Sequence, residues 1–121
     1  MTRDEFEDLL SSLADDWSNR RYEEVAMRFA ENVFYSDAQS YTFSDRASLL
    51  TFFRDDHGHP QYCCFHNSAF DEVRQVGAAE YTYEGTSRYH GTAWIRIEAD
   101  EITVWREYQH RSEQSWEEFW K

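Results

Sequence analysis

The chain has 121 residues, 40% hydrophobic and 18% aromatic, with 24 acidic against 12 basic residues and a formal net charge of −12. That length suits one domain with one core, and the aromatic content excludes a disordered chain despite a mean hydropathy of −0.89. The charge excludes nucleic acid as a partner, since phosphates demand clustered Lys and Arg, and argues equally against anionic membrane surfaces.

No apolar run reaches the length of a membrane span, and the acidic start MTRDEFED is no signal peptide, so a cytoplasmic location is expected. Cys63 and Cys64 are adjacent. Strand neighbours point to opposite faces, so they suit two packing sites better than a disulfide. With four Gly and one Pro there is no linker, and residues 1–121 read as a single domain without repeats.

Thr2 and Glu5 form a capping box that opens the first helix. Phe6, Leu9, Leu10, Leu13 and Trp17 then recur at three- and four-residue steps, one apolar stripe facing a core. The pattern breaks at Ser18-Asn19 and restarts as Tyr22, Val25, Ala26 and Phe29, which predicts a shorter helix ending near Asn32. Val33 to Ser36 predicts a short strand; carried through Asp37, it puts Tyr35 and Asp37 on one face. A loop through Gln39-Ser40-Tyr41 leads to Ser44, the expected N-cap of a third helix carrying Leu49, Leu50, Phe52 and Phe53. His57-Gly58-His59-Pro60 ends that helix.

Gln61 to Val73 predicts a strand with Tyr62, Cys64, His66 and Ser68 on one side. Gly77 to His110 reads as three consecutive antiparallel strands, with turns at Arg88-Tyr89-His90-Gly91 and Ala99-Asp100-Glu101. In the last, Ile102, Val104, Arg106 and Tyr108 alternate with Thr103, Trp105, Glu107 and Gln109, which sets Glu107 beside Trp105. Two registers compete for the first of these strands. A two-residue turn would put Glu80, Thr82 and Glu84 on the face of Ala93, Ile95 and Ile97; one residue more would turn Ala79, Tyr81 and Tyr83 inward. Hydrophobicity favours the second, and an apolar outward face for a dimer favours the first. The first is the working expectation and makes Glu80 a pocket residue. Ser115 and Glu118 start a last helical turn bearing Phe119 and Trp120. Strands that follow helices indicate an α+β layout with an antiparallel sheet.

This order resembles the nuclear-transport-factor-2-like superfamily, and most of all its SnoaL-like branch. The resemblance rests on FAENVFYSDA early, YEGT in mid-sheet and ITVWREYQ at the end. It implies a cone-shaped, curved, antiparallel or mixed sheet wrapped around N-terminal helices, a pocket inside, and a homodimer through the outer sheet face. In the pattern of limonene epoxide hydrolases, Tyr35 and Asp37 look like the tyrosine and asparagine that hold the catalytic water, and Glu107 like the aspartate that deprotonates it. Their arginine–aspartate pair has no match in Glu80-Tyr81-Thr82-Tyr83-Glu84, and Ala93 looks like the position of the ketosteroid isomerases' oxyanion-hole acid.

Asp37 and Glu107 are therefore the catalytic candidates, with Tyr35, His66, Glu80 and Trp105 as ligand-binding candidates. Burial and mutual repulsion should raise at least one of the two carboxyl pKa values, suiting proton transfer. The structural alternatives are that Asp37 caps a turn and Glu107 pairs with Arg96 or Arg106. His66 is either a ligand-contacting base or a hydrogen-bonded core histidine. His57-Gly58-His59 with Cys63 and Cys64 matches no zinc spacing, so no metal is expected. Without G-x-S-x-G, P-loop or dinucleotide fingerprint, no cofactor is expected either. The sequence thus points to a small apolar ligand and cofactor-free acid–base chemistry, or else to a non-catalytic module whose pocket its own rings fill.

Overall fold

The computed structural model describes residues 1–120. Helix α1 (Arg3–Ser18) starts where its capping box requires: the Glu5 N–H donates to Thr2 Oγ1 at 3.1 Å and the Thr2 N–H to the Glu5 carboxylate at 2.8 Å. Its buried stripe is Phe6, Leu9, Leu10, Leu13 and Trp17. At its end the Ser18 hydroxyl accepts the Cys63 N–H at 2.9 Å, tying the helix to the sheet.

Helix α2 (Tyr22–Ala26) is shorter than the expected helix to Asn32, because strand β1 (Phe29–Asp37) begins at once. Sheet pairing overrides the helical spacing there: the Ile102 N–H donates to the Arg28 carbonyl at 2.9 Å, and Phe29 pairs with Ile102. Strand β2 (Tyr41–Phe43) occupies what reads as a loop, with Tyr41 opposite Asp37 and Phe43 opposite Tyr35. Helix α3 (Arg46–Arg54) is capped by Asp45 rather than Ser44; the Asp45 carboxylate accepts the Ser48 N–H at 2.7 Å.

Strands β3 (Tyr62–Asp71), β4 (Val76–Glu84), β5 (Arg88–Glu98) and β6 (Glu101–Arg111) complete a mixed, curved six-stranded sheet of order β2-β1-β6-β5-β4-β3. Only β1 and β6 run parallel. The β5–β6 hairpin turns at Ala99 and Asp100, both at positive φ (49° and 63°), the two-residue geometry that matches strand twist. A short helix α4 (Trp116–Trp120) follows.

The β4–β5 register corrects the expectation. The turn lies at residues 85–87, and Arg88 to His90 are already strand. Ala79 pairs with Ala93, Tyr81 with Gly91 and Tyr83 with Tyr89. Ala79, Tyr81 and Tyr83 thus face inward and Glu80, Thr82 and Glu84 outward. Burying two tyrosines and an alanine avoids desolvating two carboxylates, and hydrophobicity decides the register. The concave face presents Val33, Tyr35, Ala79, Tyr81, Ala93, Ile95, Ile97, Ile102 and Trp105 to the helices. A register shift between Arg96 and Ile97 lets both Ile102 and Trp105 point inward despite their odd spacing.

Candidate ligand cavity

Between the helices and the concave face lies a cavity of about 320 Å³, at the small end of ligand sites. Strand alternation carries Tyr35 from β1 and Trp105, Glu107 and Gln109 from β6 into it. Tyr41 comes from β2, Cys63 and Phe65 from β3, and Tyr81 and Tyr83 from β4. Trp17 of α1 and Phe52 and Phe53 of α3 close it from above. The Tyr35 and Trp105 rings are parallel with centroids 6.0 Å apart, and Trp17 meets Trp105 edge-on at 5.8 Å. The mouth is rimmed by Asp55, Asp56, His57 and Gln61 on one side and Gly85, Thr86, Ser87 and Tyr89 on the other.

Glu107 is 5% exposed and has no basic partner among the described residues. Its Oε2 accepts the Tyr41 hydroxyl at 2.6 Å and its Oε1 the Trp105 indole N–H at 3.0 Å. Burial pushes its pKa up, above the ordinary carboxylate value of 4.5. Hydrogen bonds from Tyr35, Tyr41 and Trp105 work against that rise, and the Asp37 charge adds to it. Burial also pushes the Tyr35, Tyr41 and Tyr81 hydroxyls far up, with the Glu107 charge next in each case, so all three stay protonated donors. The Cys63 thiol is raised by burial too, which keeps it inert. Neither Arg96 nor Arg106 reaches Glu107: both lie on the outer face, since Arg106 pairs with Trp94 and Arg96 with Val104.

Asp37 sits beside this network rather than in the cavity wall. Its Oδ1 accepts the Gln39 N–H at 3.0 Å, the turn-forming role. Its Oδ2 accepts Gln109 Nε2 at 3.2 Å, and Gln109 Oε1 in turn takes the Tyr81 hydroxyl. Gln109 therefore links Asp37 to the cavity, with Tyr41 Oη 3.5 Å from its amide nitrogen. Gly91 makes room for this link. A Cβ there would lie 2.7 Å from both Gln109 Cβ and the Tyr108 carbonyl, and 2.9 Å from the Tyr81 hydroxyl.

Of the candidates read from sequence, Tyr35, Trp105 and Glu107 come together, with Asp37 adjacent. His66 and Glu80 are corrected: both lie on the opposite face. Glu80 takes a hydrogen bond from Asn67 Nδ2 at 3.0 Å. His66 is the extra residue of a bulge between Phe65 and Asn67; its Nε2 is 2.7 Å from Thr82 Oγ1 and its ring stacks on Trp116 at 4.0 Å. His57, Cys63 and Cys64 also diverge, to the mouth, the interior and the outer face. Gln109 was legible as the period-two successor of Trp105 and Glu107. Tyr41 and Tyr81 were not, because one lies in an unpredicted strand and the other depends on register.

No protein-family model and no curated protein matches the chain. Solved structures match its fold. A protein of unknown function with cystatin-like fold from Methylobium petroleophilum aligns with TM-score 0.81 at 16% identity, over 96% of this chain and 82% of that one. An LEH-like epoxide hydrolase of M. tuberculosis aligns with TM-score 0.72 at 13% identity, over 85% and 80%. A Catenulispora acidiphila protein with ketosteroid isomerase-like fold, in complex with trimethylamine, aligns with TM-score 0.71 at 17% identity, over 83% of each. The chain has the nuclear-transport-factor-2-like, cystatin-like fold.

Proposed function

We propose that this chain binds a small, largely apolar molecule in its aromatic cavity and that Glu107 moves a proton on it without a cofactor. The carrying observation is a buried carboxyl that lines the cavity, has hydroxyl and indole donors, and has no basic partner among the described residues. Burial raises the pKa of such a group above the ordinary carboxylate value, toward the range in which a carboxyl can both accept and return a proton. It can take a proton from an acidic C–H or O–H of the ligand and return it at another atom, the balance of an isomerisation, cyclisation or dehydration. Hydrolysis of an epoxide has less support. The inward positions of β4 and β5 hold Ala79, Tyr81 and Ala93 in place of an arginine–aspartate pair. Neighbours of the same fold include proteins described as acting on or binding small molecules, which fits an open cavity.

A thermal-shift panel of apolar carbonyls, epoxides, steroids and aromatic polyketides tests the reading, with Trp105→Arg as the blocked control. The reading expects a stabilising hit that Trp105→Arg loses. For a neutral ligand from this panel, Glu107→Gln should retain binding yet lose turnover by about a hundredfold or more. Turnover unchanged in that variant removes Glu107 from the chemistry; binding without turnover in the native protein leaves a ligand carrier. The same reading includes a homodimer through the outer sheet face, where Phe34, Trp94 and Tyr108 are exposed.

A further inference from the structure

The cavity's wall and charge say more about its ligand than its size does. Ten of its twenty lining residues are Trp, Tyr or Phe. The charged side chains among them are Asp55, Asp56 and Glu107; among the described residues no Lys or Arg lines it. Asp56 is already neutralised, its two oxygens accepting Arg20 Nε at 2.7 Å and Nη2 at 2.9 Å. Asp55 stands at the rim, 3.6 Å from His57 Nε2. Glu107 at the base has no counter-ion among the described residues. A buried carboxylate without one is costly, and three neutral donors repay only part of that cost. With donors from Tyr35, Tyr41 and Trp105, the carboxylate keeps one of its roughly four acceptor directions free. Ring faces attract cations, and a neutral guest would leave their quadrupoles unused and Glu107 without a counter-ion.

We propose that the ligand is an organic cation, an alkyl-substituted ammonium held over the Tyr35 and Trp105 rings with Glu107 as its counter-ion. This rests on the cavity being an open ligand site, as argued above, and narrows the chemical class. Groups facing Glu107 are Tyr35 and Asp37 from β1, Tyr41 from β2, Cys63 from β3 and Tyr81 and Tyr83 from β4, with Trp105 and Gln109 on its own strand. None of them is cationic. Ammonium binding therefore requires Glu107 to be ionised, and a protonated Glu107 must release its proton to solvent.

Calorimetric titration with choline and with its carbon isostere 3,3-dimethylbutan-1-ol isolates the charge, since the two differ in N⁺ against C at the branched centre. The native protein should prefer choline by about tenfold or more at mildly alkaline pH. Glu107→Gln should bind the two equally. In the native protein, choline affinity should fall as pH drops through the raised Glu107 value, with proton release measurable in buffers of different ionisation enthalpy; this arm needs no variant. Equal or tighter binding of the isostere overturns the cation while leaving the cavity reading intact. Failure of both probes and of the neutral panel at millimolar concentration overturns both.

Discussion

Glu107 is placed where a carboxylate is expensive, and its cost has a direction with pH. Its folded pKa lies above 4.5 because burial disfavours the charge. The folded state therefore holds a proton that the unfolded chain has lost, so stability declines as pH rises from the unfolded value through the folded one, by about 1.4 kcal/mol per unit of displacement. Replacing Glu107 by Gln removes the decline. The variant should melt above the native protein at neutral pH, with the gap closing toward acid, and paired thermal melts across that range check it. At Gly91 the constraint is steric. Gly91→Ala meets a backbone carbonyl and Gln109 at 2.7 Å, so it should cost about 1–3 kcal/mol and shift the aromatic side-chain resonances of Tyr81.

Helix α4 packs against two histidines of the outer sheet face, His66 and His90. His90 is fully buried; its Nε2 lies 2.9 Å from the Gln114 carbonyl and therefore donates, which leaves its Nδ1 to accept from Thr82, 2.9 Å away. Thr82 then accepts from His66 Nε2. Phe119 stacks on His90 at 4.9 Å and Trp116 on His66. Burial lowers the His66 pKa, and proximity to the His90 ring lowers it further. A depressed histidine contributes stability that is present above about 6.5 and is lost as pH falls toward the folded value. Amide protection in α4 should thus fall between neutral and mildly acid pH before the sheet opens, and hydrogen exchange will show it. Trp116→Ala should loosen α4 at all pH values at a cost of about 1–2 kcal/mol, below that of a fully buried ring.

The elements also show how much was legible. The Thr2–Glu5 box, the α1 stripe, the Ala99-Asp100 turn and the alternation of β6 from Val104 to Gln109 are local patterns, and each appears as read; Ile102, read on the other face from Trp105, joins it through the register shift opposite Arg96 and Ile97. The start of β1, strand β2 and the β4–β5 turn are set by partners distant in sequence. The register error moved Glu80 and Thr82 to the wrong face together, since one residue of slip inverts a whole strand. Asp45 against Ser44 is a smaller case: both are good caps, and the helix start chose. Within the site, Glu107 and Trp105 came from one strand's alternation, whereas their donors Tyr41 and Tyr81 needed the fold.

At the scale of the molecule, a net charge of −12 creates a field that draws cations toward an acid-rimmed mouth. Choline association should therefore slow as salt rises, while its neutral isostere should be indifferent, which stopped-flow tryptophan fluorescence can separate. The proposed outer-face dimer makes its own prediction: sedimentation should give twice the chain mass, and Trp94→Glu should yield a monomer that keeps the cavity. The central claim, a proton-handling carboxyl inside an aromatic ligand site, is tested most directly by titrating the Glu107 side-chain carbon by ¹³C NMR, with and without choline. The account predicts a midpoint above 4.5 in the free protein, moving down when choline binds. A midpoint at or below that value, unmoved by ligand, would contradict it.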